Sequence, residues 1–85
     1  MNGEILNQVR GIAADIFKVD AKRLDAASSP EQVETWDSLQ HLNLVLALEG
    51  TYGIAFDPEE MERMKNLGVI AALVGNKLSL STNRV

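Results

Sequence analysis

Ser38 is the residue of this chain whose type and spacing could do chemistry, within the segment TWDSLQHL at residues 35–42. Asp37 precedes it, and His41 follows three residues later, a neighbouring position if the segment is helical. A serine beside a histidine could be a nucleophile with its general base. The same hydroxyl could instead cap a helix or carry a covalently attached group. Each alternative requires different surroundings from the rest of the chain.

A hydrolase is the weakest of these alternatives. Such an enzyme needs an acid that orients the histidine, an exposed serine such as that of a Gly-x-Ser-x-Gly turn, and an oxyanion hole. The chain has no such turn, and 85 residues leave little room for a deep cleft. The single histidine is more simply a solvated side chain, and Asp37 with His41 would make a weak metal site. We therefore predict no enzyme and no metal centre.

The predicted helix start at Ser38 favours an attached group. Asp37 is an equally good cap and comes one residue earlier, so Ser38 falls in the first turn with a spare hydroxyl, while Leu39 turns inward. A helix start offers unpaired N–H groups and a partial positive charge. A phosphate bonded to Ser38 would lie in that field. The site is therefore suited to phosphoserine or to a phosphodiester-linked prosthetic group.

Hydrophobic spacing predicts an all-α fold, a small four-helix bundle with three longer helices, a short third helix and a long loop between helices one and two. The predicted helices cover residues 4–18, Ser38 to about Glu49, Pro58 to about Met64 with Asp57 as its cap, and Leu67 to about Leu78 with Asn66 as its cap. The apolar stripe of the first helix is Ile5, Val9, Ile12 and Ile16, widened by Leu6, Ala13 and Phe17; that of the second is Leu39, Leu42, Val45 and Leu46, widened by Leu44 and Leu48; and the inward face of the fourth is Leu67, Ile70, Leu73, Val74 and Leu78. The loop contains Ser28-Ser29-Pro30, and a loop of this length is often functional.

Length and composition fit one domain over residues 1–85, with a frayed tail at residues 81–85. Without cysteine, disulfides and thiolate metal sites are excluded. No apolar run is long enough to span a bilayer, and the N-terminal residues do not resemble a signal peptide. We expect a cytoplasmic monomer.

Charge is unevenly distributed along the chain. The net charge of −4 argues against nucleic-acid binding. Lysine and arginine are absent between Leu24 and Glu62, whereas acidic residues recur throughout that span. A solvated acidic face is the simplest interpretation. The sharper hypothesis is a docking surface for basic partners, to which Glu34 and Glu49 contribute charge and which His41 helps to shape.

The chain resembles the acyl carrier protein family, which includes the related peptidyl carriers. The resemblance rests on Asp37-Ser38-Leu39, on LALEGTYGI at 46–54 and on FDPEEMERMKNLGVIAALV at 56–74. It implies that Ser38 carries a phosphopantetheine arm, attached from coenzyme A by a phosphopantetheinyl transferase. It also implies acyl groups held as thioesters on the thiol of that arm. The implied partners are the transferase and the acyl-loading and acyl-using enzymes of fatty-acid, polyketide or related biosynthesis, with basic docking surfaces.

Two features depart from the usual family pattern. Outward positions of the second helix include Gln40, His41 and Asn43, where acidic residues are common, and this disfavours generic fatty-acid synthesis partners. Trp36 stands where small residues are usual, and WDSLQHL looks more like discrete carriers of specialised pathways, such as polyketide extender-unit or surface-polysaccharide biosynthesis. A helical adaptor without a prosthetic group and a peptidyl or aminoacyl carrier stay open as alternatives.

Overall fold

The computed structural model describes residues 2–82, which form four α-helices and one 3₁₀ turn without a strand. The helices are α1 (Asn2–Phe17), α2 (Ser38–Tyr52), α3 (Pro58–Glu62) and α4 (Leu67–Thr82), and the 3₁₀ turn is Ala21–Arg23. Helix α1 packs against α2 and α4, and α2 also contacts α4. The predicted all-α bundle with a short third helix is confirmed. Residues 83–85 of the tail predicted to fray lie outside the described residues.

Local signals set the ends of the helices. Helix α1 stops where Lys18 adopts a positive φ of 59°. Helix α2 continues through Gly50, three residues beyond the predicted end, and stops at Gly53, whose φ of 65° is a conformation that glycine adopts without strain. At the start of α4, the side chain of Asn66 accepts a hydrogen bond from Val69 N–H at 2.8 Å, which is the predicted cap.

The predicted apolar stripe of α2 is wrong as a buried face at three of its six positions. Leu39, Leu42 and Leu46 are 65%, 48% and 55% exposed, whereas Val45 is buried. The face that packs on the bundle is formed by Val45 together with Leu44 and Leu48, the two residues predicted to widen the stripe. Because α2 is apolar on nearly all sides, the spacing of its leucines did not determine which side would face the core.

The core is otherwise close to the predicted one. Helix α1 buries Val9 and two of the residues predicted to widen its stripe, Ala13 and Phe17, whereas Ile5, Ile12 and Ile16 are only half-buried. Helix α4 buries its predicted face except Leu78, which is half-buried. The buried apolar residues are Val9, Ala13, Ala14, Phe17, Leu24, Trp36, Leu44, Val45, Leu48, Phe56, Met64, Leu67, Ile70, Ala71, Leu73 and Val74.

The long loop between α1 and α2 is fixed to the start of α4. Leu67 N–H donates to Ser28 C=O at 3.1 Å, and Gly68 N–H donates to Ala26 C=O at 2.9 Å, so loop carbonyls satisfy two otherwise unpaired groups of the helix. A Cβ on Gly68 would lie 3.1 Å from the Ala26 oxygen, so glycine allows this close approach. The fixed loop in turn positions the residues just before α2.

Helix α3 has only five residues and depends on its surroundings for order. Its Glu60 accepts a hydrogen bond from Asp57 N–H at 2.8 Å and pairs with Lys77 of α4 at 2.7 Å. These two hydrogen bonds, the backbone one first, lower the pKa of the Glu60 carboxyl. The flanking residues Phe56 and Met64 are buried and attach α3 to the bundle.

We expect hydrogen exchange to be fastest in the segment from Phe56 to Asn66, by about tenfold or more relative to the centres of α1 and α4. The reason is that few contacts other than the Glu60–Lys77 pair and the two flanking anchors hold α3. Lys77→Gln should increase exchange there further, whereas Lys65→Gln, which changes an exposed lysine, should not. Equal protection of all four helices would contradict this prediction.

No helix within residues 2–82 combines the length and the apolar character needed to cross a membrane.

Candidate functional site

Ser38 is the first residue of α2, and its side chain is exposed. Its hydroxyl makes no hydrogen bond to the described part of the chain. Asp37 caps the helix by accepting Gln40 N–H on Oδ1 at 2.9 Å, so the capping role is filled and the serine oxygen is spare. This is the arrangement predicted from the sequence for Ser38 and Asp37.

The N-terminus of α2 can favour a negative charge on Ser38. Within residues 2–82, the N–H groups of Ser38 and Leu39 have no hydrogen-bond partner, while Asp37 accepts the next two N–H groups through its side chain and its carbonyl. Unpaired N–H groups and the positive end of the helix dipole stabilise an anion at this position. The residues present therefore fit a phosphodiester on the serine oxygen.

Trp36 fastens the residues before the site to the bundle. Its indole is 3% exposed and stacks on Phe17 of α1, with ring centroids 4.9 Å apart. Its Nε1–H donates to Nδ1 of His41 at 3.0 Å, and the two rings are within 16° of parallel. A side chain on α1 and a side chain on α2 thus hold the indole from two directions, which fixes the path of the loop into Ser38.

His41 is half-buried, not the freely solvated side chain expected from the sequence. Burial lowers its pKa below the ordinary histidine value, so the ring is neutral at neutral pH. Because an indole N–H can only donate, Nδ1 must be the acceptor, and the proton of the neutral ring lies on Nε2. The lone pair that a general base would use is therefore already occupied by Trp36, which excludes the Ser38–His41 pair as a hydrolase dyad in this conformation.

Metal binding has no support at this site. No group of three or more histidine, cysteine, aspartate or glutamate side chains that could hold a metal occurs in the described part of the chain. Asp37 is engaged as the cap of α2, and Nδ1 of His41 is engaged by Trp36.

The two acids predicted to dock partners have different surroundings. Glu34 is exposed in the turn just before the site. Glu49 is half-buried, and its Oε2 accepts the N–H of Phe56 at 2.8 Å, which ties the end of α2 to the connector before α3. Glu49 thus has an internal structural role, and Glu34 presents its charge more openly.

A stripe of exposed leucines, Leu39, Leu42 and Leu46, runs along α2 beside Ser38 and was missed as a surface feature. At about 100° per residue, the three leucines lie within about 60° of one another, and Leu42 is about 40° from Ser38 around the helix axis. No aspartate, glutamate, lysine or arginine occurs from Ser38 to Leu48. The signal in the sequence was an excess of leucine, more than one buried face could accommodate.

Comparison with known proteins agrees with this geometry. Residues 7–74 match the family model described as a phosphopantetheine attachment site. An acyl carrier protein of Thermosynechococcus vestitus is 32% identical over 76 residues, covering 89% of this chain and 94% of the relative. An acyl carrier protein of Petrotoga mobilis is 27% identical over 77 residues, covering 91% of each.

A solved structure extends the similarity to three dimensions. The solution structure of a holo acyl carrier protein from Geobacter metallireducens superposes with a TM-score of 0.85 at 34% identity, covering 94% of this chain and 92% of that one. The family match spans α1 to α4 and includes the exposed serine at the start of α2. The chain therefore belongs to the acyl carrier protein family, whose prosthetic group is phosphopantetheine.

Proposed function

We propose that Ser38 carries the phosphopantetheine arm and that the chain presents acyl groups on it to biosynthetic enzymes. The observation that supports this most directly is the exposed, unbonded Ser38 hydroxyl at the start of α2, beside a separate cap. Asp37 orients the first turn, and the unpaired N–H groups of Ser38 and Leu39 stabilise the negative charge of the phosphodiester. The arm supplies a terminal thiol that holds acyl groups as thioesters, which the chain cannot provide because it has no cysteine.

Attachment requires little chemistry from the chain itself. The Ser38 oxygen forms a bond to the phosphorus that bears the pantetheine group of coenzyme A, the bond from that phosphorus to the nucleotide breaks, and 3′,5′-ADP leaves. The serine proton must pass to a base of the transferase, because the acceptor nitrogen of His41 is engaged by Trp36. We infer that the chain is a carrier and not an enzyme, in keeping with a family that is generally not catalytic.

Partners have to approach the surface around Ser38, because the arm is fixed there. That surface contains the leucine stripe of α2, with Glu34 as an exposed acid in the preceding turn. We propose that the transferase and the acyl-loading and acyl-using enzymes contact this stripe through apolar side chains and place basic groups opposite Glu34. The uncharged face fits dedicated partners of a specialised pathway, such as polyketide biosynthesis, better than partners that recognise an acidic helix. The proposed location is the cytoplasm, where the arm would be drawn from coenzyme A.

The decisive experiment is loading of the purified chain with coenzyme A and a phosphopantetheinyl transferase of broad specificity, followed by intact-mass measurement. We expect a gain of one phosphopantetheine, mapped to Ser38 by fragmentation, and then thioester formation on the new thiol. An unchanged mass with several such transferases would favour a helical adaptor without a prosthetic group.

We expect His41→Ala, compared as folded protein because it also leaves the buried Trp36 N–H without its acceptor, to load at a rate within about threefold of the unsubstituted chain. The base that accepts the serine proton belongs to the transferase, so removal of His41 should cost little. If His41 were that base, its removal would slow loading by about 10²-fold or more. The unmodified chain should hydrolyse no simple esters, which an absorbance assay with a nitrophenyl ester can check. Ester hydrolysis that needs both Ser38 and His41 would overturn the carrier proposal. Gln40→Ala, which changes a half-buried neighbour on the same helix, is the matched control for any loss of loading that is unrelated to His41.

A further inference from the structure

His41 has a hydrogen-bond donor that no described residue uses. Its ring is tied to Trp36 through Nδ1, and it makes no other hydrogen bond to residues 2–82. The neutral ring therefore carries its proton on Nε2, which points away from the indole. This donor is held in one tautomer by a buried partner, so its direction is fixed more firmly than that of a mobile surface side chain.

The ring of His41 also lies near the first turn of α2. Side chains on a helix lean toward its N-terminus and cover the preceding turn. The 3.0 Å hydrogen bond between the rings of His41 and Trp36, five residues earlier, fits this direction for the His41 side chain. Ser38 lies in that turn, three residues before His41, a spacing at which Cβ atoms are about 5–6 Å apart.

We infer that His41 is a binding residue for the phosphodiester of the arm, donating Nε2–H to one of its oxygens while Trp36 holds the ring. This inference rests on the proposed attachment at Ser38. Around the helix axis, Ser38 lies between His41 and Leu42, about 60° from the former and 40° from the latter. A phosphodiester held by His41 directs the base of the arm toward the Trp36 side of α2 and leaves the leucine stripe open for partners.

No charge on the packed side of His41 competes with this role. Trp36 stacks on its ring with Phe17 behind the indole, both uncharged, and burial is the cause of the lowered pKa of His41, with no contribution from a charged group. The nearest acid in sequence, Asp37, has its Oδ1 engaged by Gln40 N–H. The single negative charge that loading adds is therefore the main change in the electrostatic surroundings of His41.

The test compares the chain before and after loading by NMR, with intact mass showing whether the arm is present. His41 is the sole histidine, so its ring signals need no assignment. Before loading, ¹⁵N shifts should show protonated Nε2 and unprotonated Nδ1. After loading, the titration midpoint of His41 should move upward, because a nearby anion favours the protonated ring. The ³¹P resonance of the phosphodiester should follow the same midpoint.

The double variant His41→Gln with Asn43→His provides the matched control. Residue 43 is exposed and lies about 140° from Ser38 around the helix axis, so a histidine there should show a much smaller midpoint shift on loading. Equal shifts at positions 41 and 43, or a flat ³¹P signal across the His41 titration, would overturn the inference while attachment at Ser38 stands. Failure of the mass to increase would instead overturn the proposed function, and this inference with it.

Discussion

Ser38→Ala is expected to abolish loading completely, with no phosphopantetheine detectable by intact mass after the unsubstituted chain has reacted to completion. The variant lacks the only oxygen that the proposed reaction can use. It should fold normally, because Ser38 is exposed, Asp37 supplies the cap, and alanine is favourable within a helix. We expect the free energy of unfolding to change by no more than about 0.5 kcal/mol. A loss of loading would then be due to the missing Ser38 hydroxyl and not to unfolding of the variant.

Two other serines give controls for this experiment. Ser29 lies in the long loop and is half-buried, and Ser29→Ala should load at the rate of the unsubstituted chain. Ser28 is buried, and its Oγ accepts Asp25 N–H at 2.9 Å, so Ser28→Ala should lower stability by about 1–3 kcal/mol through an unsatisfied N–H yet still load where it is folded. Loading of Ser38→Ala at any other serine would show that the attachment site is assigned wrongly.

The helix order and the position of Ser38, exposed at the start of α2 beside a separate cap, were predictable because their signals are local. Asn66 before α4, Pro58 at the start of α3 and Gly53 after α2 act through hydrogen bonds and backbone angles within a few residues. The same holds for Asp37 and Ser38, because the conformation of a helix cap and of the residue after it depends on residues close in sequence.

The orientation of α2 was not predictable from its own residues. Leucine, valine and alanine occupy seven of its fifteen positions and are spread around the helix, so several faces could have packed against the core with similar hydrophobic gain. Contacts with α1 and α4 decide the outcome, and these are tertiary contacts that helical periodicity does not encode. The three leucines left outside are the residues from which we infer partner docking.

The hydrogen bond between Trp36 and His41 could not be predicted from the sequence for a related reason. It joins the end of a loop to the second turn of a helix, and Trp36 is brought there by its stacking on Phe17, far away in sequence. Glu49 shows the same limit, because its hydrogen bond to Phe56 depends on how the chain turns after Gly53. A side chain that looks available for binding in the sequence is often already hydrogen-bonded in the folded chain through a contact of this kind.

Leu42→Glu is expected to slow loading by about tenfold or more in kcat/KM, through loss of an apolar anchor beside Ser38. The fold should persist, because Leu42 is 48% exposed and is not one of the buried residues of α2. Circular dichroism melting should confirm this, with Asn43→Glu as the control that adds the same charge at a neighbouring exposed position outside the stripe.

Whether Leu42→Glu slows or speeds loading distinguishes apolar docking from docking through acidic charge. If partners recognise mainly acidic charge, an added carboxylate at position 42 brings another favourable interaction with their basic groups and should speed loading, and Glu34→Lys should be the more harmful change. If they recognise mainly the leucine stripe, Leu42→Glu slows loading more than Glu34→Lys does.

Raising ionic strength from about 0.1 M to about 1 M shortens the Debye length from about 10 Å to about 3 Å. If docking is mainly apolar, the unsubstituted chain should then lose little of its loading rate. Faster loading of Leu42→Glu, with a steep loss of rate in salt, would refute apolar docking, because burial of leucine side chains does not depend on screened charge.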